Sequence, residues 1–383
     1  MKSILFICDA DPFNANMGNA QRTSIFLKAF LNNGFHIDIA VIGNLDVSLP
    51  QCLPDNASIV LWNQGHQWKT NNIPKFLKRI LINSNATSFE LKEKIRSILN
   101  KKNYDYVFCR YIKNALLSCI FQMNQNIILD IDDLPEKSYY TNFQRPDSLL
   151  RRLYRNYVVC ILKKQTRYCI RKSYVSFLPN KKEAIEYGTV YLPNISTINK
   201  INNELYIQNH SVLFIGSLTW APNHNGIDHF IDCFWNDIIR QVPDAKLIIA
   251  GKGLPDKFIK RWSSYNNVQY LGFVEDIYGF YALGNIVICP IYAGAGTNIK
   301  VIEAMSMGKA CVLSTSSARG YEDILKHSYN VLIDQDNASF SKHVVSLLTN
   351  DSLRNEIAEN AHKTANTYFS QAYVDKVIAD CCN

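Results

Sequence analysis

No apolar run in the 383 residues reaches the roughly 18 positions that a membrane-spanning helix needs. The opening stretch MKSILFICDA has one lysine, a short alternating apolar run and no small-residue cleavage site, so it reads as a first sheet strand rather than a secretion signal. No CxxC spacing occurs among the eleven cysteines, which removes the usual signature of a zinc site or a redox pair. Cys8, Cys109, Cys289 and Cys311 sit inside apolar stretches and read as buried free thiols in a reducing, cytoplasmic setting. GxGxxG is missing after the first strand, so the dinucleotide oxidoreductase fingerprint is absent. Acidic residues nearly vanish over residues 145–182, which hold eleven lysines and arginines against Asp147 alone. The net charge of +8 therefore belongs to one segment. That segment lacks aromatic interleaving and any nucleic-acid motif, which argues against nucleic acid as a partner.

What is present is the composition of a globular chain, 47% hydrophobic and 19% charged, long enough for two domains. Strand, glycine-bearing loop, helix, strand over residues 4–42 is a βαβ opening, with Gly18 closing the loop. The strand expected at 104–110 ends on Arg110, and the one at 126–131 runs into Asp130-x-Asp132-Asp133. Three carboxylates there suit a Mg²⁺ ion, a seat for an acceptor hydroxyl, or a structural loop network. A long helix is expected over 147–172. Leu149, Leu153, Tyr157 and Ile161, with Leu150, Tyr154, Val158 and Leu162, form an apolar stripe, and basic residues take the other faces. Such a helix reads either as a membrane-surface element or as a core helix with a solvated charged face. Residues 194–210, polar and rich in asparagine, read as a linker. A second βα series restarts at Ser211, and its cleanest helical stripe runs from Ile227 to Ile239.

Residues 286–315 organise the rest. Ile286–Ile291 is a buried-strand run, and Tyr292-Ala293-Gly294-Ala295-Gly296 carries almost no side chain, so another group can approach its backbone. Thr297 is a fair N-cap for a helix to Met307, Gly308 is placed to stop it, and a strand follows from Lys309. A glycine loop feeding a helix N-terminus offers free N–H groups and a positive dipole end to an anion. Lys300 and Glu303 lie among Ile299, Val301, Ile302, Ala304 and Met305. They read either as a plain surface pair or as buried groups that need partners.

This stretch resembles the donor-site signature of glycosyltransferase family 4 and related group 1 enzymes. Pro290, Gly294, Gly296, Lys300, Glu303-Ala304-Met305 and Gly308-Lys309 fit the pattern. Its first glutamate is replaced by Ala295. The arginine and lysine that the family places after the first strand of the donor domain are also missing, since the chain reads Gly216-Ser217-Leu218 and then Trp220-Ala-Pro-Asn-His-Asn225. The resemblance implies an α/β chain of GT-B architecture, two Rossmann-like doubly wound parallel-sheet domains facing across a cleft. It covers residues 214–315 well and the first half loosely.

The domains expected on that basis are an acceptor-side domain 1–193, a linker 194–210, a donor domain 211–365 and a final helix 366–383 that crosses back. Gly18, Gly216, Ser217, Lys252, Gly294, Ala295, Gly296, Thr297, Asn298, Lys300, Glu303 and Arg319 would hold the donor, with Glu303 on the ribose hydroxyls and Lys300, Lys252 or Arg319 compensating the diphosphate. Arg110 and Asp132 would face the acceptor, and Asp132, Asp133 and Lys300 would act in the chemistry. The implied activity is metal-independent, cofactor-free and retaining transfer of a sugar from a nucleotide diphosphate to a hydroxyl of a glycan or lipid-linked acceptor. The implied setting is cell-surface polysaccharide assembly, in the cytoplasm or peripheral at the inner face of the plasma membrane. The rival expectations are a nucleotide-sugar 2-epimerase and a non-catalytic glycan- or membrane-binding protein with a decayed donor site.

Overall fold

The structure is a computed structural model that describes residues 2–13, 18–45, 48–50, 52–69, 87–141, 148–198, 210–265, 267–294, 297–336 and 338–382. It divides into two units, Met1–Pro193 with Gln371–Asn383, and Asn194–Ser370.

The first unit contains β1 (Ser3–Cys8), α1 (Gly18–Asn32), β2 (His36–Leu45), β3 (Ala57–Gln64), α2 (Phe89–Lys101), β4 (Tyr106–Arg110), α3 (Ile112–Leu117) and β5 (Ile127–Asp130). It continues with α4 (Pro135–Thr141), α5 (Leu149–Lys172), β6 (Val175–Leu178), α6 (Lys181–Tyr187) and β7 (Val190–Tyr191). Its strands form one sheet in the order β3-β2-β1-β4-β5-β6-β7, all paired in parallel. The alternating reading of the opening stretch is corrected: Ile4–Cys8 are all buried, as a strand covered on both faces requires. Phe6 pairs in register with Phe108, and the two rings stack at 4.5 Å, with Phe26 and Phe30 of α1 closing over Phe108. Leu5, Ile7, Val107 and Cys109 point the other way, onto Leu91 and Ile95 of α2.

The second unit contains β8 (Ser211–Ile215), the helix α7, β9 (Lys246–Ala250), α8 (Asp256–Trp262), β10 (Val268–Tyr270), α9 (Ile277–Ala282), β11 (Ile286–Cys289), α10 (Ile299–Ser306) and β12 (Ala310–Ser314). Then come β13 (Leu332–Asp334), α11 (Phe340–Thr349) and α12 (Asp351–Tyr368). Helix α7 runs as Ala221–Phe230, a π turn Ile231–Trp235 and Asn236–Gln241. The wide turn lies in the middle of the apolar stripe, where Phe230, Ile231, Phe234 and Trp235 are all buried. This sheet runs β10-β9-β8-β11-β12-β13, again parallel.

Each sheet reverses its order once, between β1 and β4 in the first unit and between β8 and β11 in the second. In open parallel sheets such a reversal opens a crevice at the carboxyl ends of the strands.

Several boundaries differ from the sequence reading. The chain breaks between α12 and a last helix α13 (Gln371–Cys382), a few residues beyond the expected 365/366 boundary. Helix α13 belongs to the first unit, where Gln371 Nε2 donates to the Ile25 carbonyl (3.1 Å) and Asn33 Nδ2 to the Asp375 carbonyl (2.9 Å). In the stretch expected to be a linker, Ile195, Ser196 and Ile198 are buried, and residues 199–209 lie outside the described residues. The apolar stripe assigned to residues 147–172 is also corrected. Helix α5 buries Val158, Leu162, Thr166 and Cys169, while Leu149, Leu150 and Leu153 are 73, 78 and 57% exposed.

Candidate functional site

In the second unit the crevice between β8 and β11 is built from what the chain omits. Gly216 follows β8 directly, and a Cβ there would sit 3.0 Å from Lys300 Cε and 3.1 Å from Asn223 Nδ2. β11 leads through Pro290 and Ile291 to Gly294, whose φ of +119° disfavours any side chain. Helices α7 and α10 follow these two strands, so both N-termini, with their positive dipole ends, lie at the carboxyl ends of neighbouring strands; Pro222 of α7 has no N–H, and the Asn223 and Val301 N–H groups turn back to the Trp220 and Asn298 carbonyls.

Lys300 joins them. It is 8% exposed, its Nζ donates to Asn223 Oδ1 of α7 at 2.6 Å, and it lies 5.3 Å from the Phe214 ring centroid. Asn223 Nδ2 in turn donates to the Ser217 carbonyl (2.7 Å), tying both helices to the end of β8. No carboxylate pairs with Lys300 among the described residues. Burial lowers its pKa, with Cys289 and Glu303 pulling weakly the other way. Glu303, one turn on, is also buried, near Tyr281, so the surface-pair reading of Lys300 and Glu303 is excluded.

The loop after β11 is pinned from below. Ser314 Oγ donates to the Ile291 carbonyl at 2.5 Å, Ser317 Oγ hydrogen-bonds the Cys289 carbonyl, and the Ile291 N–H donates to Ser317 Oγ (3.1 Å). Asn298 Nδ2 reaches the Ser317 carbonyl (3.3 Å). The N-cap of α10 is Asn298 rather than Thr297, and the Thr297 hydroxyl accepts from Asn194 Nδ2 at 2.9 Å instead. Ala295 and Gly296 lie outside the described residues. Ser217 is exposed, its hydroxyl 2.7 Å from that of Thr219. Lys252 is an exposed turn residue whose carbonyl accepts from the Leu218 N–H (2.9 Å). Arg319 is half-buried beyond β12, and its Nε is buried without a hydrogen-bond partner among the described residues. Asn223, Ser314 and Ser317 were missed. Asn223 falls in the stretch read only as the place where two cations are missing.

In the first unit the crevice between β1 and β4 is filled by charge. Asp130, at the end of β5 and fully buried, takes Arg22 of α1 side-on (2.8 and 3.0 Å) and also pairs with Arg110. Arg22 extends to the Leu192 and Pro193 carbonyls at 3.0 and 3.2 Å. Arg110 Nη2 and the Tyr111 hydroxyl donate to Asp132 Oδ2 at 2.8 and 3.3 Å. Tyr111 and Asp132 hold φ of +66° and +60°, a strained pair at the ends of neighbouring strands. Burial works to raise the Asp132 pKa, but the Arg110 and Arg22 charges prevail and lower it. Asp133 presents a solvent-facing surface, yet crowding by protein, then Asp132 and Glu183, raises its carboxyl.

This geometry corrects two expectations. Arg110 is 0% exposed, so it does not face an acceptor directly; its guanidinium holds Asp132 and the Tyr111 hydroxyl instead. Asp130 is consumed by two arginines, which leaves Asp132 and Asp133 as the open carboxylates. Among the described residues no three His, Cys, Asp or Glu side chains stand together as a metal-ligand group. Gly18 is the first residue of α1.

Residues 209–350 match the family model described as glycosyl transferases group 1. An uncharacterized 44.6 kDa protein in a cps region of Klebsiella pneumoniae is 24% identical over 94% of this chain and 95% of its own length. Among solved structures, a sucrose-phosphate synthase from Thermosynechococcus elongatus superposes with a TM-score of 0.72 at 12% identity, over 99% of this chain and 98% of the other. Anabaena HepE, solved with UDP and glucose, gives 0.66 at 16% identity over 99% of both chains.

Proposed function

We propose, from the premise that this chain is a group 1 glycosyltransferase with the GT-B fold, that it moves a sugar from a nucleotide diphosphate sugar to a hydroxyl of a glycan or lipid-linked acceptor, with retention at the anomeric carbon. The observation that carries the donor side is Lys300, a buried ammonium with no carboxylate ion pair among the described residues, set between two helix N-terminal segments at the reversal of the second sheet. A diphosphate there supplies the missing counter-charge, and the same groups stabilise the charge that develops on it as the sugar departs. Gly216 and Gly294 let the phosphates and sugar lie against backbone, with Ser217 and the Thr297–Asn298 end of the loop beside them. Glu303 takes the ribose hydroxyls. No metal is needed in this scheme, because lysine and helix dipoles do the neutralising. Lys252, exposed in the turn after Gly251, and the Arg319 Nε, which has no hydrogen-bond partner among the described residues, are further anion donors.

The first unit holds the acceptor. Asp132, fixed by Arg110 and Tyr111, and the open Asp133 accept hydrogen bonds from the acceptor hydroxyl and orient it. The exposed leucines of α5 beside Arg151 and Arg152 suit an anionic lipid surface, which favours a lipid-linked acceptor and a peripheral position at the inner face of a membrane. No helix among the described residues is long and apolar enough to cross one. The relative from a cps region supports a role in cell-surface polysaccharide assembly.

Calorimetry with UDP, GDP, CDP and dTDP, with and without EDTA, tests the donor side. One of the four binds, EDTA leaves it unchanged, and Lys300→Met weakens it about tenfold or more. Absence of binding at millimolar concentration sinks the transferase reading in favour of a decayed donor site. Conversion of the donor sugar without any acceptor points instead to an epimerase.

A further inference from the structure

The loop between β8 and α7 carries an aromatic ring that the donor site described above does not use. Trp220 is the residue before α7 and is 42% exposed. Its indole N–H makes no hydrogen bond among the described residues. Trp235 and Trp262 of the same unit are buried core residues at 1% exposure, so the exposure of Trp220 is not the rule for tryptophan here. The ring is not loose. A Cβ built on Gly294 would lie 2.8 and 2.9 Å from its Cη2 and Cζ2, so the edge of the indole rests against the glycine of the loop after β11. The Trp220 carbonyl accepts the Asn223 N–H at 3.0 Å, which fixes the backbone of Trp220 to the residue that holds Lys300.

We propose that Trp220 is a stacking platform for the pyranose ring of the donor, and hence a specificity-determining residue. This rests on the donor reading of the β8–β11 crevice. With the diphosphate on Lys300 and the helix N-termini, the group attached to it on the Gly294 side meets an indole braced by that glycine. One face of a pyranose presents several C–H bonds, electropositive at hydrogen, which suit the negative face of an indole, while the hydroxyls at its rim remain free to hydrogen-bond. Tryptophan offers that area with little loss of side-chain freedom, since its edge is already held against Gly294.

Calorimetry on wild type, Trp220→Ala and Trp220→Phe tests this with two ligand sets: UDP, GDP, CDP and dTDP, and the same four carrying glucose, galactose or N-acetylglucosamine. For the nucleotide that binds, the bare diphosphate keeps its Kd within about twofold in all three proteins. For the sugar-bearing form, Trp220→Ala raises Kd about tenfold and Trp220→Phe restores most of the loss. An equal loss on both ligand sets assigns the ring to the base or to loop support and overturns the proposal. So does a wild type that gains nothing from any attached sugar. A wild type that binds none of the bare diphosphates brings down the donor reading itself, which separates the two failures.

Discussion

The two sheets reverse their strand order at equivalent places, and the chain treats the two crevices in opposite ways. Between β1 and β4 it packs in Arg22, Arg110 and Asp130, all at or below 2% exposure. Between β8 and β11 it removes side chains, leaving Gly216 and Gly294 over a single buried cation. The first arrangement satisfies its own charges and fixes Asp132 from behind. The second holds its lysine on an amide oxygen, with no carboxylate ion pair among the described residues, beneath two positions that carry no side chain. A filled, self-neutralised crevice suits a neutral polyol approaching a positioned carboxylate. An emptied, cationic one suits a phosphate. Both frameworks are parallel sheets with one reversal, so the difference lies in the side chains and loop backbone set at the strand ends.

The largest expected effect breaks the filled crevice. Asp130→Ala takes from Arg22 its side-on carboxylate, leaving the more distant Asp132 (3.9 Å) and the two carbonyls, and strips Arg110 of one of its two carboxylates, all beneath the surface. Loss of one member of a buried ion-pair network costs about 3–5 kcal/mol, because the surviving charges stay desolvated. Chemical denaturation should show a midpoint lowered accordingly. A change within about 1 kcal/mol would mean that water reaches the arginines and that this crevice is less filled than it looks.

The contrast between the crevices also tracks what was legible in the sequence. The emptied site could be read almost directly, since it is local: strand, glycine loop and helix lie within Ile286–Ser314. Lys300 and Glu303 were found by position on that helix. The filled site could not be read that way. Arg110 and Asp132 stand at strand ends and were singled out, but Arg22 lies 108 residues from Asp130 in the middle of an unremarkable helix, and only the sheet order brings them together. The same limit explains Asn223, whose role depends on α7 and α10 following adjacent strands that are distant in sequence. Helices α4 and α6 were missed for another reason. At seven residues each they complete barely two turns, too few to display a period. The 3.6-residue stripe of α7 was read correctly, and the π turn within it was not, because sequence spacing does not register an extra residue in one turn.

A smaller effect sharpens the emptied side. Gly216→Ala places a methyl 3.0 Å from Lys300 Cε and 3.3 Å from its Nζ, tighter than ordinary contact. The long side chain yields before the backbone does, so Lys300 leaves Asn223 while the fold stays within about 1 kcal/mol of wild type. Nucleoside diphosphate affinity then falls about tenfold, the loss of one charge-assisted hydrogen bond. A thermal shift without a binding loss would show that the glycine serves packing rather than phosphate.

The mildest test concerns the surfaces rather than the crevices. Helix α5 of the first unit leaves Leu149, Leu150 and Leu153 in solvent next to Arg151 and Arg152, after its later half is fixed by Val158, Leu162 and the Thr166–Glu136 hydrogen bond (3.0 Å). The leucines already lie on a formed helix, which lowers the ordering cost of their insertion. Attraction to anionic headgroups is worth about 1 kcal/mol per basic residue near the surface, so Arg152→Ala should weaken binding to vesicles containing anionic lipid roughly fivefold and leave nucleotide affinity unchanged. Leu150→Ser should weaken binding in the same assay without altering its salt dependence, because that residue contributes apolar area and not charge. Equal recovery of wild type with neutral and anionic vesicles would remove the electrostatic part of this reading. A failure of wild type to float with either would remove the membrane from the acceptor side altogether, while the donor crevice of the second unit would stand unaffected.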